Sequence, residues 1–251
     1  MPRFRLKHDC RPCRLVLGET GPHRFGGVAT HNGASPTSSQ VALHHVLSFE
    51  TSDSNCPVTT DGSIRRLPLY YPLKYGAGGA AIQYSVLSDT EIQILYLSPE
   101  EADDEDNQYV QVPFLPEARA TLIPLEYEEA RIIGFMAAEH YFSPNAEDWA
   151  IIQRLDFETH QRKREIIGSY DNIVGVGGLQ IRVRDAEDFI CRNGQCKLFG
   201  RRIGLDVIAS IPPIPVSGSD EFWYEFRGAD MRFFFGLCPH CGTVIASNQA
   251  S

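Results

Sequence analysis

Cysteine carries most of the chemistry legible in this chain. Cys238 and Cys241 stand two residues apart in FFFGLCPHCGTVI (Phe233 to Ile245), Cys10 and Cys13 repeat that spacing in CRPC, and Cys191 and Cys196 bracket CRNGQC. A C-x-x-C pair on a tight turn aims two thiolates at one point, and the amides of the turn hydrogen-bond the sulfurs, so each pair is half of a tetrahedral metal site. CPHC enters every workable combination. Its other half is either CRNGQC or CRPC, the second because its flanking residues match the arrangement around CPHC. A shell of four cysteines has no position left for a water, so the ion expected is structural Zn2+ and not a catalyst. The remaining Cys10 and Cys13 would be an alternative or second site, completed by His8 and His23. Cys56 is isolated and is expected to be an ordinary thiol.

The chain has 251 residues, enough to bury a core without disulfide staples. Its 23 basic and 32 acidic residues leave a net charge of -9. That balance works against a long phosphate-tracking surface, so the expected partner is a protein, and a basic one, with no nucleic acid. Seven cysteines, an odd number with four in C-x-x-C pairs, suit metal ligation in a reducing compartment better than disulfides. The N-terminal residues lack the parts of a signal peptide, and no apolar run approaches the roughly eighteen residues of a membrane span, so a cytoplasmic chain with no membrane contact is expected.

Strands must position these residues. FRLKHDC and CRLVLGE alternate on either side of CRPC and predict a hairpin with both sulfurs at its tip; MRFFFGLC and CGTVIAS predict the same around CPHC. VALHHVLSFE, AAIQYSVLSD, TEIQILYLS, YVQVPFL, LQIRVRD and GLDVIASIP have the β-branched and aromatic content of further strands. One helix is predicted over Pro144 to Asp156, capped by Ser143, with Trp149, Ile152 and Leu155 at helical spacing. The like-charged run from Ser98 to Gln108 reads as a solvated loop. GAGGAA (Gly76 to Ala81) lacks the G-x-G-x-x-G pattern of a phosphate cradle.

HRFGGVAT followed by ALHHVLSFE parallels VGVGGLQI followed by GLDVIASIP, which points to an internal duplication. The fold class expected is mainly β (α+β): one duplicated domain over 1–251, with repeat one at about 14–130, a helical connection at about 131–168 and repeat two at about 169–251. The succession GG, C-x(4)-C, VIASIP and RFFFGLCPHCG resembles the YwqG-like family of bacterial proteins and the related programmed cell death protein 2 family. RFGG, ALHHVLSFE and IRRLPLYYPL resemble the first repeat of the YwqG-like family. The resemblance implies a pseudo-twofold β fold without established enzymatic activity, and it favours Cys191 and Cys196 as the partners of Cys238 and Cys241. It further implies protein binding, as an immunity protein or as a chaperone-like binder of a basic client.

The leading expectation is therefore a zinc-stabilised protein-binding module, with the acidic-aromatic stretch DEFWYEF (Asp220 to Phe226) as a candidate contact. The chain holds no G-x-S-x-G and no H-E-x-x-H. The alternative is a hydrolase or other enzyme with a site between the repeats that uses His44, His45 or Asp206 with a cysteine. A zinc-ribbon nucleic-acid binder comes third and requires a continuous basic face.

Overall fold

The computed structural model describes residues 4–34, 43–73, 82–98, 114–127, 175–177, 189–211 and 231–250, and single positions at 130, 146 and 150. The first strands are β1 (Phe4–Leu6), β2 (Cys13–Gly18), β3 (His23–Gly27), β4 (His44–Glu50), β5 (Val58–Thr60) and β6 (Arg66–Tyr71). They are followed by β7 (Ile82–Ser88), β8 (Glu91–Leu97), β9 (Leu115–Pro124), β10 (Gly175–Val176) and β11 (Phe189–Ile190). The last are β12 (Arg202–Ile203), β13 (Asp206–Ile211), β14 (Met231–Leu237) and β15 (Val244–Ala250). The β-rich expectation holds.

Eleven strands make one sheet in the order β6-β4-β3-β9-β2-β10-β13-β14-β15-β7-β8, while β1-β5 and β11-β12 form two small antiparallel pairs. The sheet turns back on itself. Tyr84 of β7 accepts the Tyr70 amide of edge strand β6 at 2.9 Å and donates to the Pro68 carbonyl at 2.9 Å. Asn248 of β15 donates to the Tyr71 hydroxyl at 2.6 Å. These bonds bring one edge of the sheet over strands near the other and enclose Phe25, Phe49, Tyr70, Tyr71, Tyr84, Phe233 and Phe235. Burying each such ring contributes on the order of 2–3 kcal/mol, alongside the aliphatic side chains of the same core such as Leu47, Ile64, Leu67 and Leu69. Pro68 is tolerated because β6 is an edge strand, where a missing amide breaks no ladder on the open side.

Around CPHC the predicted hairpin forms: β14 and β15 pair from Met231 opposite Ala250 to Leu237 opposite Val244. Around CRPC it does not. β1 pairs with β5, and β2 pairs with β9 and β10, because each arm finds a longer-range neighbour with a matching buried face. The strands expected near His44, Tyr84, Ile92 and Val207 are β4, β7, β8 and β13. Of YVQVPFL only Phe114 and Leu115 are described, and the strand β9 starts at Leu115 and runs on to Pro124. The glycines of HRFGG end β3, whose pairing with β9 shifts register between Phe25 and Gly27. Ala146 and Ala150 are helical, in agreement with the helix expected there; the rest of Pro144 to Asp156 lies outside the described residues. LQIRVRD, GAGGAA, DEFWYEF and the acidic run beyond Ser98 also lie outside them.

Candidate metal centre

Cys191, Cys196, Cys238 and Cys241 come together with their four sulfurs all within 4.8 Å of one another. The Sγ atoms of Cys191 and Cys241 are 3.7 Å apart, and those of Cys196 and Cys238 are 3.9 Å apart. A tetrahedral ion with metal–sulfur bonds of about 2.3 Å separates its ligands by roughly 3.8 Å, so the spacing is that of a tetrathiolate shell. It is far too long for disulfides, whose sulfurs bond at about 2.05 Å. Four soft donors in this arrangement can hold one metal ion.

Two loops deliver the ligands. In the first, the Cys238 amide donates to the Thr243 carbonyl and the Gly242 amide donates to the Cys238 carbonyl, both at 2.9 Å, which closes the turn at the end of the β14-β15 hairpin. Gly242 has φ of 70°, a left-handed conformation that costs glycine nothing, and this explains the residue after CPHC. The second loop winds through successive turns between β11 and β12. There the Cys196 amide donates to the Asn193 carbonyl, Phe199 to that of Cys196 and Gly200 to that of Cys191, at 2.9, 3.0 and 2.9 Å. The Leu198 amide approaches the Cys196 sulfur at 3.4 Å, as thiolate ligands require. Cys191, Cys196 and Cys238 are buried with Ile245, flanked by Phe189, Leu198, Ile203 and Leu205.

Side chains outside the sulfur set fix it in place. Asn193 donates through Nδ2 to Thr243 Oγ1 at 3.0 Å, leaving the threonine hydroxyl to donate to Cys241 Sγ at 3.1 Å. Gln83, buried on β7, donates to the Ile190 carbonyl at 2.7 Å and accepts the Arg192 amide at 2.8 Å, so it grips both neighbours of Cys191. The hydrogen bond from Cys238, with help from Thr243, pulls the Cys241 thiol down to about 4 against the effect of burial, while the same bond pushes Cys238 up. Burial pushes Cys191 up to about 12.

The other candidates lie elsewhere. Cys10 donates to the Gly177 carbonyl at 3.6 Å and Cys13 to that of Arg11 at 3.3 Å, and neither belongs to the four-sulfur group. Burial, then the nearby Asp53 charge, pushes Cys13 up to about 11, which disfavours the thiolate a metal needs. Cys56 is a buried thiol, likewise pushed up to about 11 by burial. His23 accepts the Glu50 amide on Nδ1 at 3.0 Å and donates from Nε2 to Asp53 at 2.9 Å, so both ring nitrogens are engaged; His8 is exposed.

His45 has Nδ1 at 2.6 Å from the Gly26 carbonyl and Nε2 at 2.6 Å from Ser48 Oγ, which fixes the Nδ1–H tautomer. A register shift between His45 and Leu47 puts residues three apart on one side of β4. The pair looks like a nucleophile and its base, but burial pushes His45 down to about 4, where it is a weak base at neutral pH, and Ser48 is buried. The bond to Gly26 ties β4 to β3. His44 accepts the Leu73 amide at 3.3 Å, and burial raises the Asp206 carboxyl.

Comparison with family models, curated proteins and solved structures returns no match.

Proposed function

We propose that the chain is a zinc-stabilised, non-enzymatic β module that binds another protein. The observation behind this reading is the closed set of four sulfurs within 4.8 Å. Zinc is the best fit because it takes four thiolates tetrahedrally without redox change. Bound there, it supplies a cross-link between two loops and offers no open position for a reacting water. Cys191, Cys196, Cys238 and Cys241 hold it, while Gln83, Asn193 and Thr243 orient them. Outward from the central β9-β2 pair, the order β3, β4, β6 on one side and β10, β13, β14 on the other supports a duplicated chain of the kind the YwqG-like resemblance implies.

A net charge of -9 favours a basic protein partner, such as an immunity protein or a client chaperone would hold. The test is capture from a native lysate by the wild-type chain and by the Cys238→Ser variant. One or a few basic proteins retained in stoichiometric amount by the wild type, and lost from the variant, are expected. A wild-type chain that retains nothing across salt conditions contradicts the reading.

A further inference from the structure

Charge is not spread evenly over this acidic chain. From Phe189 to Leu205 the sequence has no Asp or Glu, while Arg192, Lys197, Arg201 and Arg202 carry four positive charges. All four are exposed: Arg192, Lys197 and Arg201 lie in the compact loop between β11 and β12, whose cysteines turn inward to the metal centre, and Arg202 opens β12 directly after it. Phe199 stands among them with 56% of its surface exposed. Its neighbours are held by the Phe199-to-Cys196 and Arg201-to-Leu198 backbone hydrogen bonds, both 3.0 Å. The Arg192 guanidinium lies 5.2 Å from the centre of the Tyr96 ring, a stacking that orders the side chain and leaves donors at its edge for a ligand.

We infer that this loop is a docking surface for single-stranded nucleic acid. Cations alone would suit any polyanion, but an exposed ring on the same short segment as the arginines adds a stacking face, which bases can use and carboxylate side chains cannot. Three of the four cations are arginines, whose planar forks match phosphate oxygens. The loop is short, so it engages only a few nucleotides, without sequence selectivity. This goes beyond protein binding. It also separates two properties that a net charge merges, because an acidic chain can still present a basic face.

The experiment is fluorescence anisotropy of labelled octathymidylate with the metal-loaded full chain, whose metal-to-chain ratio is measured separately. Failure to bind then counts against this inference and not against the metal centre. Saturable binding is expected, weakening by about 20- to 50-fold between 50 and 200 mM salt for three or four phosphate contacts at about 0.7 in log–log slope each. Phe199→Ala should weaken it by about 5- to 150-fold, the loss of one stacked base. Arg201→Ala with Arg202→Ala should reduce the salt slope by roughly 1.4. Both variants should retain one metal per chain. The inference is overturned if metal-loaded protein fails to bind the oligonucleotide at 50 mM salt. It is equally overturned if an octaglutamate peptide binds as tightly and Phe199→Ala changes nothing, the result expected of an acidic-peptide surface.

Discussion

Cys10 with Cys13 and Cys238 with Cys241 share one spacing and have opposite fates. The C-terminal pair sits at the tip of a continuous hairpin, where β14 and β15 stay paired up to Leu237 and Val244, so both sulfurs leave the turn on the same side. The N-terminal pair joins strands that part company, β1 to β5 and β2 to β9 and β10. Each of its thiols settles on a backbone carbonyl instead. The surroundings differ as well. Cys13 lies in the large aromatic core, whereas the loop with Cys191 and Cys196 rests on a cluster too small to fold it unaided. A C-x-x-C becomes a ligand pair where its strands stay together and the local core is too poor to hold the loop otherwise.

The largest test of that contrast is serine at each site. Cys238→Ser should empty the centre and cost about 5 kcal/mol or more, because structural zinc contributes on that scale, with metal content and thermal melting as the readouts. Cys13→Ser should keep one metal per chain and cost only about 1–2 kcal/mol, the penalty for a buried hydroxyl in place of a thiol. A Cys13→Ser protein that loses its metal would break the comparison.

Acid should strike the aromatic half through His45. Its folded value of about 4 lies below the ordinary 6.5, so between these values the unfolded chain takes up a proton that the folded one refuses. Stability is therefore full above about pH 6.5 and falls by about 3 kcal/mol as pH drops to about 4. His23, also pushed down by burial, acts in the same direction. Denaturant titrations of His45→Gln should show a flatter slope in that window; an unchanged slope would remove His45 from the account.

Smaller effects separate the supports of the two cysteine regions. Gln83→Leu leaves the Ile190 carbonyl and Arg192 amide unpaired and should cost about 2 kcal/mol while weakening metal affinity about 10-fold, measured by competition with a chelator. Cys10→Ser, at a partly exposed thiol with a 3.6 Å contact, should change stability by no more than about 0.5 kcal/mol and leave that affinity alone.

Local features of the fold were readable from the residues alone, and long-range ones were not. The β14-β15 hairpin and its CPHC turn show in alternation, turn chemistry and the glycine that follows. In CRNGQC the Asn-Gly turn and the ligand loop are the same object, since Asn193 accepts the Gln195 amide and also reaches Thr243. β9 carries little strand signal because Pro116, Glu117 and Arg119 interrupt its apolar run and small Ala118 and Ala120 fill its inner face. Gln83 carries no local mark at all. Its role exists only because β7 pairs with β15 and so lies beneath the cysteine loop. The CRPC hairpin failed for the same reason, since periodicity finds strands but not their partners.

X-ray absorption at the zinc edge of the purified wild-type chain tests the central claim most directly. One zinc per chain surrounded by four sulfurs at about 2.3 Å is the predicted result. A shell with nitrogen or oxygen in place of any sulfur, or a folded chain that takes up no zinc, would contradict the closed four-cysteine centre.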